Sequence, residues 1–232
     1  PDPGDGTSAG LWLTSITRTG KDGATTAMPP VTFAGVQLFN RVDTAHDDIA
    51  ALVKWRVRTI TSETGSVLTV NYSDPQCVAG TTMPSSPDSD TLLCFPTYWQ
   101  PPFTADPQLD WFHKYVVKQI TESSDFAGAA PLKETDYTYN GKPAWHYDSD
   151  NVTAPAKRKT WSQWRGYGSV TTTTGDAQST RTKSVSTYFR GMDGDKQSDG
   201  TTRSAKVTDS TGTSVADDDR LAGNVRESIS YN

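Results

Sequence analysis

Trp55-Arg-Val-Arg-Thr-Ile-Thr61 is the stretch that decides the fold class. Trp55, Val57 and Thr59 alternate with Arg56, Arg58 and Ile60, the period of two expected of a β-strand with one apolar and one polar face. Ile60 breaks the strict alternation, which predicts a bulge or a change of face near the strand end. The phrase recurs as Leu11-Trp-Leu-Thr-Ser-Ile-Thr17 and Tyr115-Val-Val-Lys-Gln-Ile-Thr121. Each copy leads through a Gly-bearing turn or loop to a second β-rich run. Val31-Thr-Phe33 follows the first, after a turn at Asp22-Gly23. Val67–Tyr72 follows the second, after Gly65. Glu134–Tyr139 follows the third, after a longer loop with Asp125 and Gly128. Strand, turn and aromatic-ended strand together make a β-hairpin pattern. The copies at Ile16, Ile60 and Ile120 are unevenly spaced, so they read as hairpins separated by insertions and not as a strict solenoid.

The second half continues in this style. Gly166–Thr174 and Thr180–Phe189 form a long hairpin in which Val170, Thr172 and Thr174 are matched with Val185, Thr187 and Phe189. Turns follow at Met192–Lys196 and Ser198–Gly200, and Ser204–Thr208 and Val225–Tyr231 are further strands. One helix is predicted over about Thr44–Lys54, with Thr44 as cap, Asp47 and Asp48 at its positive end, and Ile49, Leu52 and Val53 as its apolar stripe. A second, single-turn helix is predicted over Asp217–Gly223, with Gly223 as its stop. The expected fold is therefore all-β: mainly antiparallel hairpins in a curved or spiralling sheet, with one or two short helices. Residues 1–10 read as a linker, and 11–232 as one hairpin-built segment of a larger protein. The missing initiator Met and the strand still running at Tyr231 suggest that reading.

Composition agrees. Hydrophobic residues are 34% of the 232, and Thr, Ser, Gly and Asp fill the gap, yet seven Trp and nine Tyr argue against disorder. Many Thr on alternating strands imply sheets with a wet face. With 22 basic and 27 acidic residues the net charge is −5. The densest basic run, Ala156-Lys-Arg-Lys159, reads as a solvated loop, so no nucleic-acid partner is expected. No apolar run is long enough to span a membrane. Cys77 and Cys94 bracket a Pro/Ser/Asp/Thr-rich segment that has little else to order it. Their disulfide would stabilise the fold by about 3 kcal/mol and imply an oxidising compartment; the other reading is two separate buried thiols.

Catalytic patterns are not found. His46, His113 and His146 lack metal spacing, and neither a nucleophile elbow nor a phosphate loop occurs, so neither enzyme activity nor a cofactor is expected. Asp193, Asp195 and Asp199 are weak candidates for Ca²⁺, as is Asp148-Ser-Asp150; ordinary turn chemistry is the simpler reading of both. Trp145, Trp161 and Trp164 with Tyr167 could stack on sugars, making a stand-alone carbohydrate- or surface-binding module the alternative function. The competing reading is that they fill a core poor in Leu and Ile.

Trp164-Arg-Gly-Tyr-Gly-Ser-Val170, followed by Thr187-Tyr-Phe-Arg-Gly191, resembles the signature that opens the Rhs/YD-repeat shell of bacterial toxins. That group includes insecticidal toxin complex B-components and SpvB-like proteins. Pro29-Pro-Val-Thr-Phe33 resembles their early strand, with Met28 in place of Leu, and the continuation Arg190-Gly-Met-Asp-Gly-Asp195 is similar to large Rhs-like proteins of actinobacteria. No intact Tyr-Asp-x-x-Gly-Arg-Leu repeat occurs, and the family's self-cleaving core motif is absent. The resemblance implies a secreted or cell-surface structural wall segment of a hollow β-shell. Its partners would be the rest of its own polypeptide and an encapsulated C-terminal toxin.

Overall fold

The structure, a computed structural model, describes residues 1–21, 26–45, 47–102, 104–123, 132–176 and 178–231. Among these, the strands in chain order are β1 (Ser15–Ile16), β2 (Val31–Leu38), β3 (Lys54–Thr61), β4 (Val67–Tyr72), β5 (Cys94–Trp99), β6 (Gln108–His113), β7 (Val117–Ser123) and β8 (Lys133–Asn140), followed by β9 (Ala144–His146), β10 (Gln163–Gly166), β11 (Ser169–Asp176), β12 (Thr182–Tyr188), β13 (Lys206–Thr208), β14 (Ser214–Ala216) and β15 (Val225–Tyr231). Nine of them form a single antiparallel sheet in the order β1-β2-β3-β4-β7-β8-β11-β12-β15. The remaining strands pair as β5–β6, β9–β10 and β13–β14. The chain is thus all-β. The turn at Asp22-Gly23, the loop with Asp125 and Gly128, and His46 lie outside the described residues.

Spatial order in the large sheet follows chain order, so it is an up-and-down meander whose connections alternate between its two ends. One end carries the links β1–β2, β3–β4, β7–β8 and β11–β12. The other receives 39–53, 73–116, 141–168 and 189–224. Every small strand pair therefore emerges at the same end, and there the insertions build a body of their own. Val42 N–H donates to Trp111 O (2.9 Å). Trp145 Nε1–H donates to Leu92 O (3.0 Å), Thr160 Oγ1 to Pro96 O (2.6 Å) and Trp161 Nε1–H to Lys196 O (2.7 Å). Ser198 donates from its N–H and hydroxyl to Asp88. These bonds close around buried Val42, Leu93, Phe112, Trp145, Trp161 and Met192, with Cys77 and Cys94 joined as a disulfide in the same core.

The large sheet contrasts with that body. Among its described residues Val70 alone is buried; β11 is half-buried along its whole length. Its polar side chains bond across strands instead. Asn71 donates to Gln119 (2.9 Å), Gln119 to Asp136 (2.9 Å), and Arg181 to Asp136 (2.5 Å). This ladder occupies one face and fits the wet face expected from the Thr-rich strands.

The hairpins predicted from the three related phrases are present as β1–β2, β3–β4 and β7–β8. Of the first phrase only Ser15–Ile16 is strand; Trp12 instead lies over β2 and donates Nε1–H to Phe33 O (3.2 Å). The irregularity expected at Ile60 sits two residues earlier. Gly35 pairs with Val57 and Ala34 with Thr59, leaving Arg58 as the extra residue of a bulge. Gly35 is needed there. A Cβ on it would come within 2.5 Å of the Trp55 ring and 3.1 Å of Trp12. The β11–β12 register also differs from the expected matching: Val170 faces Ser186, Thr171 faces Val185, and Phe189 lies beyond the strand.

The helix predicted over Thr44–Lys54 does not form. Its acids and backbone groups make bonds that a helix cannot keep. Asp47 accepts from Arg41 and from Ile49 N–H, and Val53 N–H donates to Asp5 Oδ2 (2.6 Å). Asp48 (φ 57°) and Leu52 (φ 52°) are left-handed, which no α-helix accommodates. Lys54 begins β3. The N-terminal residues read as a linker supply Asp5 and also accept from Gln37 at Pro3 O (2.7 Å), so they are docked here without forming a strand. The second predicted helix is a single 3-10 turn, Asp219–Leu221, capped by Asp218 and followed by Gly223 at φ 84°.

Candidate functional site

A cleft of about 870 Å³ opens where the sheet meets the insertion body. The sheet supplies Val117, Tyr139, Val170 and Tyr188, and the insertions supply Lys114, Tyr115 and Gln163–Tyr167. Strand alternation explains the sheet side: β11 pairs with β8 so that Val170 stands directly beside Tyr139. Gly166, at φ 74°, ends β10 and delivers Tyr167 onto Tyr139, with ring centroids 4.9 Å apart. Trp164 closes the wall edge-on to Tyr167 at 6.0 Å.

The polar groups of this wall are committed or unpaired in a definite pattern. Tyr139 Oη–H donates to Val117 O (2.7 Å) and Tyr115 Oη–H to Phe39 O (2.9 Å). Burial, with the neighbouring Tyr137 and Tyr167, pushes the Tyr139 phenol up to about 12, and burial raises Tyr167 too, so neither ionises near neutral pH. Arg165 pairs with Asp219 at 2.6 Å. Lys114 is different: its ammonium lies 5.1 Å from the Trp164 ring centroid, and burial, then Arg56, lowers its pKa. Arg56 stacks at 4.6 Å on Tyr115, and its Nη1 is buried without a partner. His113, its ring 5.9 Å from Tyr115, leaves Nδ1 buried without a partner, and burial, then Arg56, lowers its pKa. The arrangement can stack a flat apolar group and pair with negative charge.

Of the four aromatics considered for sugar stacking, Trp164 and Tyr167 line this cleft. Trp145 (3% exposed) and Trp161 (9%) are core residues whose indole N–H groups are spent on Leu92 O and Lys196 O. A single stacking face through all four does not exist. The Ca²⁺ candidates serve loops: Asp193 accepts from Ala205 N–H, Asp195 from Tyr147 N–H, and Asp199 from Thr201. Asp148 accepts from Gln163 and Asn151. Among the described residues no group of three or more His, Cys, Asp or Glu is placed to hold a metal ion.

The Arg190–Asp195 phrase folds around two buried carboxylates, Asp195, read from the sequence as a weak Ca²⁺ candidate, and Asp217, read as the start of a helix. Asp217 accepts from Arg190 N–H (2.7 Å) and Gly191 N–H (2.8 Å), and Asp195 lies 3.4 Å from His146 Nε2. Gly191 must lack a side chain, since a Cβ would meet Arg165, Ala222 and Asp219 within 2.9 Å. A third buried acid, Asp90, accepts from Leu92 N–H (2.7 Å) but leaves Oδ2 unpaired, and burial pushes it up to about 7. The folded chain therefore holds a proton that the unfolded chain releases near pH 4. Asp90's contribution is fully present in acid and is lost as pH rises toward 7, an effect on the order of 3–4 kcal/mol. Asp90→Asn keeps the acceptor for Leu92 and should narrow the difference in urea midpoint between pH 5 and pH 8. An unchanged difference would place the proton elsewhere.

No protein-family model, no curated protein and no solved structure matches this chain.

Proposed function

We propose that this chain is a structural, non-catalytic wall segment of a larger secreted protein of the Rhs/YD-repeat type, one that encloses or delivers a toxin. The observation that carries the reading is unpartnered surface. The accessible area is 13750 Å² for 25.2 kDa. A compact monomer of that mass exposes about 10,300 Å², roughly a quarter less. Part of that surface lies on the nine-stranded strip, whose faces are half-open and whose terminal strands, β1 and β15, carry no further strand among the described residues. Apolar side chains stand along those edges: Ile16 is 48% exposed, Val225 53% and Tyr231 46%. β1 is only two residues long and β15 carries Arg226 and Glu227, so charge and shortness blunt these edges in part; the apolar side chains between them are what a continuing wall would cover. The buried disulfide suits an oxidising, extracellular setting. No helix among the described residues is long and apolar enough to cross a membrane.

Hydrogen exchange and sedimentation on purified residues 1–232 test this. Amides of β1 and β15 should exchange orders of magnitude faster than those of β8 and β11, and the chain should self-associate as concentration rises. A strictly monomeric chain with protected edge strands would count against a wall.

A further inference from the structure

We propose that the cleft between the sheet and the insertion body binds a small organic carboxylate with an aromatic or apolar body. This goes beyond the wall reading and does not depend on it. Two independent features meet there. The first is form: about 870 Å³ of concave space, within the range of small-molecule sites, walled by Tyr139, Trp164, Tyr167, Val117 and Val170. The second is charge. Lys114 lines the cleft, and Arg56, outside the lining, stacks on the neighbouring Tyr115; among the described residues neither cation has a carboxylate partner. Their electrostatic neighbours are tyrosines and one another. Half-buried cations without counter-ions are costly, and an entering anion relieves that cost.

The geometry selects among ligands. Lys114 Nζ sits over the Trp164 ring, so a carboxylate paired with it lays its carbon body along the aromatic wall. Arg165 is already neutralised by Asp219, which leaves Lys114 as the group at the mouth able to take the charge. Neutral sugars need several hydrogen-bond acceptors for their hydroxyls. The lining has no carboxylate and a single side-chain amide, Gln163, so it is poorly matched to them.

The test titrates 2-naphthoate into residues 1–232, following the Val116, Val117 and Val170 methyls and the Trp164 indole by NMR. Controls are neutral 2-naphthylmethanol, cationic 2-naphthylmethylamine and methyl β-glucoside. Naphthoate should shift these signals and bind about tenfold or more tighter than the alcohol, with the amine weakest. Lys114→Met should bring naphthoate and alcohol to equal affinity, and Lys114→Arg should restore the preference. The charge series on the unmodified chain stands even if a variant fails to fold. Equal affinity of the acid and the amine, shifts confined to other residues, or tighter binding of the glucoside at this cleft would each overturn the proposal.

Discussion

Replacing Arg41 by Met is expected to destabilise the chain by about 3–5 kcal/mol, the cost of breaking a buried ion cluster from one side. Arg41 is 3% exposed and nearly saturated. Its guanidinium donates to Asp110 (2.5 Å), Asp43 (3.0 Å), Ile49 O (3.0 Å) and Asp47. Asp110 also accepts from Trp99 Nε1–H (3.2 Å), so the cluster ties the 39–53 connection to both strands of the β5–β6 hairpin. Met fills the volume of the stem but strands two partly buried carboxylates. The pH dependence identifies the cause. The Arg41 hydrogen bond holds Asp47 below its usual 3.8, with burial opposing. A depressed carboxylate stabilises the fold above its unfolded pKa, and that contribution is lost as pH falls through the folded value. Urea unfolding of the parent should therefore weaken steeply below about pH 4, and the variant's curve should be flatter there. A loss under about 1 kcal/mol, with the acid slope intact, would show that the cluster is no more than a surface ion pair.

What sequence could and could not reveal follows from where each signal is held. Trp55–Thr61 and Tyr115–Thr121 are legible because strand alternation is local, and the bulge at Arg58 resolves the misfit at Ile60 by one extra residue. The 44–54 segment carries ambiguous signals. Asp47 suits a helix start, but an Asp that can reach a buried guanidinium serves that group first. The register difference between β11 and β12 has a similar origin. Thr and Ser line both faces of that hairpin, so little in the pattern fixes which side Val170 shares. The cleft was half legible. Trp164 and Tyr167 stand in one aromatic phrase, but Tyr139 and Tyr188 reach them from other strands and Lys114 from the link before β7, and only the meander order brings these together.

Trp145→Ala is expected to cost about 3–5 kcal/mol, and Trp164→Ala distinctly less. The two residues are direct cross-strand partners on β9 and β10, with rings 4.9 Å apart, so composition and neighbourhood scarcely separate them. Burial does. Trp145 is 3% exposed, stacks on Phe95 at 5.0 Å and gives its indole N–H to Leu92 O, next to the disulfide strand. Removing it opens a cavity between the 73–116 and 141–168 insertions and leaves a backbone acceptor without its donor. Trp164 is half-buried at the cleft wall, where solvent can follow the ring out. Denaturant unfolding of both variants separates the roles. If Trp145→Ala is the severe change, the insertions are what holds the fold together, and the long sheet is a platform extended from them. Equal costs would mean that stability resides in the sheet, where only Val70 is buried among its described residues, and burial could not account for it.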